Sequence, residues 1–308
     1  MRVARLSVVL VLALLVAACG HGEAGALPSI PAPGAIPRSH GSHVVTIVME
    51  NKEYGAVIGS SDAPYTNRLA RRYGLATRAF GIRHPSLPNY LALTSGSTHG
   101  IESDCTDCHV AGPSIAGQLE AAHLHWKAYL EDLPQPCFTG SSAGAYAKKH
   151  NPFAYYDEVT QTASRCRRMV PLGQLATDLR SSRLPTYAFI VPSLCSDTHD
   201  CPVSTGDRFL AHVVPALLRA LGPHGFLVLL YDEGTTDAGC CGGSTGGHIP
   251  LIVAGPDVRR GGQQSRSVDL YGVLRTTEGA LRLPALGEAA QPRHGDLRAL
   301  FARAPYVR

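Results

Sequence analysis

The sequence predicts an α/β fold built on a mostly parallel β-sheet with helices on its faces. Three observations support this prediction. Short apolar runs rich in β-branched residues are typical of strands covered on both faces. Amphipathic segments between these runs indicate helices that alternate with the strands. Acidic, amide and imidazole side chains follow directly after several runs, at the edge where open α/β sheets bind ligands.

The apolar runs are the predicted strands. Residues 43–49, 186–192, 225–231 and 249–255 are the main candidates, and residues 75–82 form a weaker fifth. Each is short and apolar, as expected for a strand in the interior of a sheet.

Three segments indicate helices. The amphipathic segments are residues 170–182 and 206–221, and the apolar residues 91–96 favour a helix that begins near Ser86. Pro215 is expected to kink the helix at 206–221 or to lie near its start, because proline lacks the backbone N–H that a helix interior needs.

The N-terminus is typical of an export signal. Arg2 and Arg5 precede an apolar stretch that is short for a membrane span. The residues VAAC, which end at Cys19, resemble the bacterial lipobox. We therefore predict a signal peptide at residues 1–18 and a lipid on Cys19; ordinary signal cleavage nearby is the alternative.

Residues 19–42 are rich in Pro, Gly and Ala without periodicity, which indicates a tether. Residues 43–308 are enough for one large domain with a substantial core. The predicted location is the outer face of a bacterial cell membrane, to which the lipid anchors the exported chain. This would make the membrane a partner of the protein.

Composition narrows the environment and the partners. Of the nine cysteines, eight follow Cys19, and an even number in an exported chain suggests up to four disulfides whose pairing stays open. The net charge of +4 is modest, and no basic stripe is interleaved with aromatic residues, so nucleic acid is not an expected partner.

Polar ligands follow three predicted strands. They are Glu50 and Asn51 after the first, Asp197, His199 and Asp200 after the run at 186–192, and Asp232 and Glu233 after the run at 225–231. Acid pairs at strand ends are also common as solvated turns and helix caps. Three such clusters together favour a metal site, because carboxylate, amide and imidazole groups from separate strands are what divalent cations require.

Ser86 lies in HPSLPNY, between Pro85 and Pro88. It is either a helix N-cap or a nucleophile held at the positive end of a helix, where a phosphate can bind. A metal would activate such a serine by stabilising its alkoxide.

Motifs along the chain carry a family resemblance. They are VVTIVMENKEY, APYTNRLA, HPSLPNYLALTSGSTHGIESD, HWKAYLEDLPQPC, KKHNPFAYY, CSDTHDCPVSTGDRFL, YDEGTTD and LYGVLRTTEGALRLPALGEA. Together they resemble the bacterial phosphoesterase family of acid phosphatases and phosphatidylcholine-hydrolysing phospholipases C, within the alkaline phosphatase-like superfamily. The resemblance extends from about residue 43 to 302. It implies an alkaline phosphatase-like three-layer sandwich.

The resemblance also implies roles by position. Ser86 matches the nucleophile that becomes phosphorylated, and His199 matches a histidine that can protonate the leaving group. The metal ligands it implies are Glu50, Asn51, Asp232 and Glu233. The substrate-side residues it implies are Asn89, His84, Asp197 and His248; two-metal members of the superfamily find further ligands at the last two places. The cofactor is a divalent metal, for which calcium, magnesium, manganese and zinc all remain open.

One position departs from the family pattern. Many relatives read Asp-His-Tyr before the final helix, and here Leu270 stands in the place of that histidine. The departure puts substrate range or metal number in question. It leaves the match at Ser86 and the metal positions intact.

Other motifs are weaker. CTDCH (105–109) fits haem attachment but also a simple disulfide. GSSAG (140–144) lacks the apolar strand that a nucleophile elbow needs, and GCCGGSTGG (239–247) lacks the lysine of a P-loop.

The leading hypothesis is a metal-dependent phosphomonoesterase of the acid phosphatase type, whose substrate is a phosphate ester. The alternatives are a phospholipase C-type phosphodiesterase and a non-catalytic lipoprotein that binds phosphate compounds.

Overall fold

The structure is a computed structural model that describes residues 27–305. The predicted signal peptide and Cys19 lie outside the described residues. The strands are β1 Val44–Met49, β2 Gly74–Phe80, β3 Trp126–Leu130, β4 Ser142–Ala143, β5 Tyr146–Ala147, β6 Met169–Pro171, β7 Tyr187–Val191, β8 Phe226–Tyr231, β9 His248–Ala254, β10 Gln263–Gln264 and β11 Val268–Asp269. The α-helices are α1 Tyr54–Val57, α2 Pro64–Arg72, α3 Ser86–Ser95, α4 Ile115–Ala121, α5 Asp157–Thr160, α6 Ala163–Cys166, α7 Gly173–Arg180, α8 Val203–Ala220 and α9 Leu270–Leu281.

Nine strands of the described chain form one sheet in the order β10-β2-β9-β8-β1-β7-β3-β6, with β11 also paired to β2. Every pairing in it is parallel except those of β9, which runs antiparallel to both β2 and β8. The prediction of a mostly parallel sheet is therefore confirmed. β4 and β5 form a separate hairpin.

All five predicted strands are present as β1, β2, β7, β8 and β9. Every residue of β1, β7 and β8 is buried, as expected for strands covered on both faces. β3 and β6 extend the sheet beyond β7 and were not predicted.

The helices cover the sheet in two groups. α2 and α7 contact α8, whereas α4 and α9 contact α3. The central strands are buried between these groups, which gives the predicted three layers. The helix predicted at 206–221 is α8, and Pro215 lies inside it rather than near its start. The segment 170–182 is not one helix as predicted, because its first residues pair with β3 as β6 and α7 begins only at Gly173.

Part of the predicted tether packs on the domain. Ile36 is buried in the core, and the side chain of Arg219 in α8 donates to its carbonyl oxygen at 3.2 Å. His212, also in α8, hydrogen-bonds the carbonyl oxygen of Pro28 at 2.7 Å. Residues 27–36 therefore follow the surface of α8 before β1 begins.

The eight cysteines after Cys19 form four disulfides, as the even number predicted. The pairs are Cys105–Cys108, Cys137–Cys166, Cys195–Cys201 and Cys240–Cys241. The first pair joins the two cysteines of the CTDCH motif to each other. Among residues 27–305, helices of the length and apolarity that a bilayer crossing requires are absent.

Candidate active site

The candidate site lies where β1, β7 and β8 end. β1 lies between β7 and β8 in parallel register, with Met49 opposite Tyr231, so Glu50 and Asp232 leave the sheet side by side. The backbone N–H of Glu50 donates to the carbonyl of Asp197 at 2.9 Å, which joins the loop after β7 to the same point. The three predicted clusters of polar ligands therefore meet at one edge of the sheet.

Asn51 turns the chain away from the sheet at this edge. Its φ of 46° lies in the left-handed region, which asparagine tolerates better than most residues. Its backbone N–H donates to Asp232 Oδ1 at 3.2 Å. This conformation holds the Asn51 side chain and the Asp232 carboxylate at one site.

His150 joins the carboxylates from a distant part of the sequence. It ends the 3₁₀ turn Lys148–His150, with Nε2 3.2 Å from Glu50 Oε2 and Nδ1 3.4 Å from Asp197 Oδ2. One ligand atom from each of these three residues lies within 4.8 Å of the others. Burial lowers the pKa of His150 well below its usual range, with the charges of Lys149 and His199 adding to the effect. The neutral imidazole that results is the form that binds metals.

The site has the donor set and the unsatisfied atoms that a cation would fill. Four of the buried polar atoms that lack a hydrogen-bond partner in the described chain lie at this site: Asn51 Oδ1, His150 Nε2, Asp197 Oδ2 and Asp232 Oδ2. Such atoms are rare in folded proteins unless an ion or water binds them. Burial raises the pKa of Glu50 well above its usual range, and repulsion from Asp232 and Asp197 raises it further. These residues fit a divalent metal, which would satisfy the orphaned oxygens and offset the repulsion.

Tyr90 holds Glu50 in place through a hydrogen bond. Its ring stacks on that of His150 with centroids 5.4 Å apart, and its hydroxyl donates to Glu50 Oε1. The hydroxyl thus fixes one carboxylate oxygen and leaves Oε2 facing His150 and Ser86.

Ser86 is the first residue of α3, beside these carboxylates. Pro85 rather than Ser86 is the N-cap, so the alternative of Ser86 as a helix cap is wrong. Its Oγ lies 3.1 Å from Glu50 Oε2 and 3.3 Å from Glu233 Oε1, and its single proton therefore has two carboxylate acceptors. The hydroxyl is buried at a helix N-terminus, where developing negative charge is favoured.

Glu233 and His84 form a pair on the other side of Ser86. His84 Nδ1 lies 2.5 Å from Glu233 Oε2, and His84 Nε2 donates to the Thr236 carbonyl at 3.1 Å. Burial and the nearby charge of Asp104 raise the pKa of Glu233 to about 7. Near neutral pH the Glu233 carboxyl group therefore holds a proton in part of the molecules.

Asn89 is close to Ser86 but holds the backbone before it. Its Oδ1 accepts from the N–H groups of Ile82 and Arg83 at 2.7 and 3.2 Å. Its Nδ2 donates to the carbonyls of Arg83 and Pro85 at 2.6 and 3.2 Å. The amide thus fixes the loop that places His84 and Ser86.

His199 lies at the rim of the site. Its Nδ1 is 2.6 Å from Asp200 Oδ1, and its Nε2 is 3.4 Å from Lys149 Nζ. The carboxylate can only accept, so Nδ1 carries the proton and Nε2 accepts from the lysine. The ring centroid lies 5.8 Å from that of His150.

His248 makes its contacts at the start of β9. Its ring stacks on Tyr54 and Phe80, with centroids 4.5 and 5.2 Å apart, and Nε2 donates to the Thr77 carbonyl at 3.0 Å. These contacts point Nε2 towards β2 rather than towards Ser86.

Leu270 belongs to the core of the domain. It is the first residue of α9 and fully buried, directly after the N-cap Asp269. The imidazole that contacts Asp269 comes instead from His294, whose Nδ1 lies 2.5 Å from Asp269 Oδ2.

Four residues near the site were not predicted from the sequence. They are Tyr90, Asp104, Lys149 and His150. Lys149 and His150 lie in KKHNPFAYY, and the other two lie in HPSLPNYLALTSGSTHGIESD, so all four fall in segments that carry the family resemblance, which was the available signal. Their proximity to Glu50 and Ser86 depends on contacts between residues far apart in the chain.

Comparison with known proteins identifies the family of the chain. The Phosphoesterase family profile matches residues 59–284. A phosphatidylinositol-3-phosphatase of Mycobacterium tuberculosis is 34% identical over 284 residues, which are 91% of this chain and 89% of that protein. An acid phosphatase of Aspergillus fumigatus is 29% identical over 252 residues, and the match covers 78% of this chain but only 54% of the fungal protein.

The fold matches solved structures as well. The crystal structure of a protein in the alkaline phosphatase superfamily from Vibrio parahaemolyticus superposes with a TM-score of 0.53 and 13% identity, covering 82% of this chain and 71% of the other. At this identity the likeness concerns the fold alone, and it confirms the predicted alkaline phosphatase-like sandwich. From the profile match and the mycobacterial relative, the chain belongs to the Phosphoesterase family and is a phosphoric ester hydrolase.

Proposed function

We propose that the protein is a metal-dependent phosphomonoesterase of the acid phosphatase type that acts through a phosphoserine intermediate. The observation that carries this proposal is the position of Ser86 Oγ, buried at the start of α3 and within 3.3 Å of carboxylates on both sides. The named activities of the mycobacterial and fungal relatives support it.

In the first step, Ser86 Oγ attacks phosphorus and forms an Oγ–P bond while the bond to the ester oxygen breaks. The serine proton passes to Glu233, whose Oε1 is 3.3 Å away and whose other oxygen contacts His84. The leaving alcohol takes a proton from a donor at the rim, for which His199 is the candidate once its Nε2 is protonated. In the second step, water attacks phosphorus and gives a proton to His199, the Oγ–P bond breaks, Ser86 Oγ takes back the proton held by Glu233, and inorganic phosphate leaves.

The proposed metal ligands are Glu50, Asn51, His150, Asp197 and Asp232, because these residues supply the four orphaned atoms and the repelling carboxylates. A bound divalent cation would stabilise the serine alkoxide and the charge on the phosphoryl oxygens. Asp197 is thereby proposed as a ligand rather than as a substrate contact. Glu233 is proposed as the proton acceptor, since its two oxygens face Ser86 and His84.

Asn89 is proposed to position the loop that precedes Ser86. A direct bond from Asn89 to a phosphoryl oxygen would require one of its four backbone hydrogen bonds to break. His248 is proposed to pack β9 on β2, in keeping with its stacked ring.

The test is hydrolysis of 4-nitrophenyl phosphate and of bis(4-nitrophenyl) phosphate by the chelated protein reloaded with calcium, magnesium, manganese or zinc. We expect monoester cleavage that a metal restores and that Ser86→Ala abolishes. Faster cleavage of the diester would favour the phospholipase C-type alternative. Activity that survives in Ser86→Ala would contradict the mechanism, and phosphate binding without hydrolysis in any metal would favour the binding lipoprotein.

We also propose that the chain is exported and anchored through a lipid on Cys19. Four disulfides in the described chain support an oxidising compartment. Expression in a bacterial host with labelled palmitate tests the anchor: the wild-type protein is expected to carry label in the membrane fraction, and Cys19→Ala to lose the label. Label retained in Cys19→Ala would contradict the proposal.

A further inference from the structure

Lys149 is a charged side chain beside the nucleophile to which no role has yet been given. We propose that Lys149 contacts the substrate and makes the site prefer dianionic phosphate monoesters over monoanionic diesters. This inference rests on the proposed function, since it concerns which phosphate ester Ser86 attacks.

The position of Lys149 is fixed by an ion pair with Asp104, a residue that also hydrogen-bonds the first turn of α3. Its Nζ lies 3.0 Å from Asp104 Oδ2, and Asp104 Oδ1 accepts from the backbone N–H of Leu87 at 2.9 Å. Leu87 directly follows Ser86, so the ammonium group is joined through one carboxylate to the helix turn that carries the nucleophile. The side chain remains 23% exposed, which leaves it accessible to a ligand.

The ammonium charge also reaches the carboxylates on both sides of Ser86. Burial raises the pKa of Glu50 and of Glu233, and in both cases the charge of Lys149 acts in the opposite direction. Because Ser86 Oγ lies between these two carboxylates, a phosphoryl group on its way to Oγ enters the same field. The charge of Lys149 therefore acts on the same site that the phosphoryl group enters.

Lys149 has donor capacity for such a contact. An ammonium group has three N–H donors. One bonds Asp104 and a second bonds His199 Nε2, at 3.0 and 3.4 Å. The third has no hydrogen-bond partner among residues 27–305, and the longer contact, to His199, is the weaker of the other two.

The chemistry of the two ester classes differs where Lys149 would act. A phosphate monoester above its second pKa carries two negative charges on three free oxygens, whereas a diester carries one charge on two. A fixed cation therefore stabilises the monoester more strongly, and an oxygen that bears a second alkyl or aryl group offers it no charge. Removing this charge-assisted contact is expected to lower monoester turnover on the order of 10- to 100-fold.

The neighbouring Lys148 provides a matched control. It differs from Lys149 by one position, and its Nζ donates to the Thr106 carbonyl at 2.7 Å and lies 4.6 Å above the Tyr155 ring. These contacts tie it to the loop around the Cys105–Cys108 disulfide rather than to Ser86. Loss of Lys148 removes the same charge from the same turn without removing the proposed substrate contact.

The experiment compares the wild-type protein with Lys149→Gln, Lys149→Arg and Lys148→Gln in the metal that supports activity. We measure kcat/KM for 4-nitrophenyl phosphate and for bis(4-nitrophenyl) phosphate, and we measure the Kd of inorganic phosphate by calorimetry. In Lys149→Gln, the monoester value and the phosphate affinity are expected to fall together while the diester value changes less than twofold. Lys149→Arg is expected to retain the preference, and Lys148→Gln to match the wild type.

Other outcomes would overturn the inference. An equal fall for both esters in Lys149→Gln would mean that the lysine only holds Asp104 and α3 in place, and no fall would mean that it does not meet the substrate. If kcat/KM for the monoester falls as far in Lys149→Arg as in Lys149→Gln, the positive charge at this position is not what determines the preference. If the wild type hydrolyses neither ester, the proposed function fails, but an unchanged phosphate affinity in Lys149→Gln would still contradict the inference separately.

Discussion

Glu50 is the residue on which the buried charges of the site converge. It accepts the hydroxyl of Tyr90 on one oxygen and faces His150 and Ser86 with the other. A carboxylate held in this way presents one oxygen in a fixed direction. Outer partners of this kind orient metal ligands and typically contribute about 10- to 100-fold to metal affinity.

Tyr90→Phe is therefore expected to weaken metal binding by roughly 10-fold or more while the ring stack on His150 is kept. Metal titration by calorimetry on the chelated protein measures the change. Tyr156→Phe is the control, because its buried hydroxyl bonds Thr94 at 2.7 Å within the helical layer. Equal metal affinity in Tyr90→Phe and the wild type would contradict the prediction and mean that the Tyr90 hydroxyl does not orient Glu50 for metal binding.

Glu278 in α9, which is not a proposed metal ligand, makes the free energy of unfolding depend on pH. Burial raises its pKa to about 8, and its Oε2 has no hydrogen-bond partner. The folded state therefore holds a proton that the unfolded state, with its ordinary glutamate pKa, releases at lower pH. The contribution of Glu278 to stability is greatest below the unfolded pKa and is lost as the pH rises towards 8.

Glu278→Gln is expected to remove the loss of stability that Glu278 causes as the pH rises. Its free energy of unfolding should fall less between pH 5 and pH 8 than that of the wild type, by an amount on the order of a few kcal/mol. Glutamine keeps an oxygen for the N–H of Leu286, which Glu278 Oε1 accepts at 2.9 Å. Urea unfolding at several pH values measures the slope, with exposed Glu102→Gln as the control; parallel slopes for Glu278→Gln and the wild type would contradict the prediction.

At the scale of elements, apolar runs predicted the strands well where both faces of the strand are buried. β1, β7 and β8 are apolar at every position because both faces are covered. β3 was missed because Lys127 interrupts its pattern, and in the structure Lys127 Nζ forms an ion pair with Asp178 at 2.5 Å. The antiparallel direction of β9 leaves no trace in its composition, since an apolar run reads the same in either direction.

The close approach of two elements at Gly81 gives a prediction at this scale. A Cβ at Gly81, just after β2, would lie 2.6 Å from the carbonyl oxygen of Gly246 and 2.9 Å from that of Asp232. Both are backbone atoms that cannot rotate away. Gly81→Ala is therefore expected to displace the chain that carries Asp232, destabilise the fold by about 1–3 kcal/mol and weaken metal binding.

Gly279→Ala in α9 is the matched control for this substitution. A Cβ at Gly279 would meet no atom within 4 Å, and alanine favours a helix over glycine by about 1 kcal/mol. Chemical unfolding and metal titration on both variants compare them. A Gly81→Ala variant as stable as Gly279→Ala would show that the loop at 246 moves freely.

At the scale of the whole molecule, the site residues that directly follow strands could be predicted from the sequence, whereas those in other parts of the chain could not. Glu50 and Asp232 follow apolar runs, so the topology of a parallel sheet placed them together before the structure was known. His150 lies in a 3₁₀ turn directly after β5 and reaches Glu50 across 100 positions of the chain. Such contacts arise from packing of the whole domain, which local patterns do not encode.

Two of the disulfides are expected to have different effects, one mainly on the stability of the domain and the other mainly on the geometry of the site. Cys137–Cys166 joins residues 29 positions apart, whereas Cys195–Cys201 joins residues 6 apart in the loop that carries Asp197 and His199. The longer loop restricts the unfolded chain more, by about 1.4 kcal/mol in the loop-entropy treatment. Cys166 is also buried, so its loss removes packing in the core.

Replacing Cys137 and Cys166 by alanine is therefore expected to lower the free energy of unfolding more than replacing Cys195 and Cys201, when both are measured by urea unfolding in chelator. Metal affinity is expected to show the opposite order, because the shorter disulfide holds the loop in which Asp197 accepts the backbone N–H of His199 at 2.7 Å. If both double variants lose metal affinity equally, the site depends on the stability of the whole domain rather than on the loop after β7.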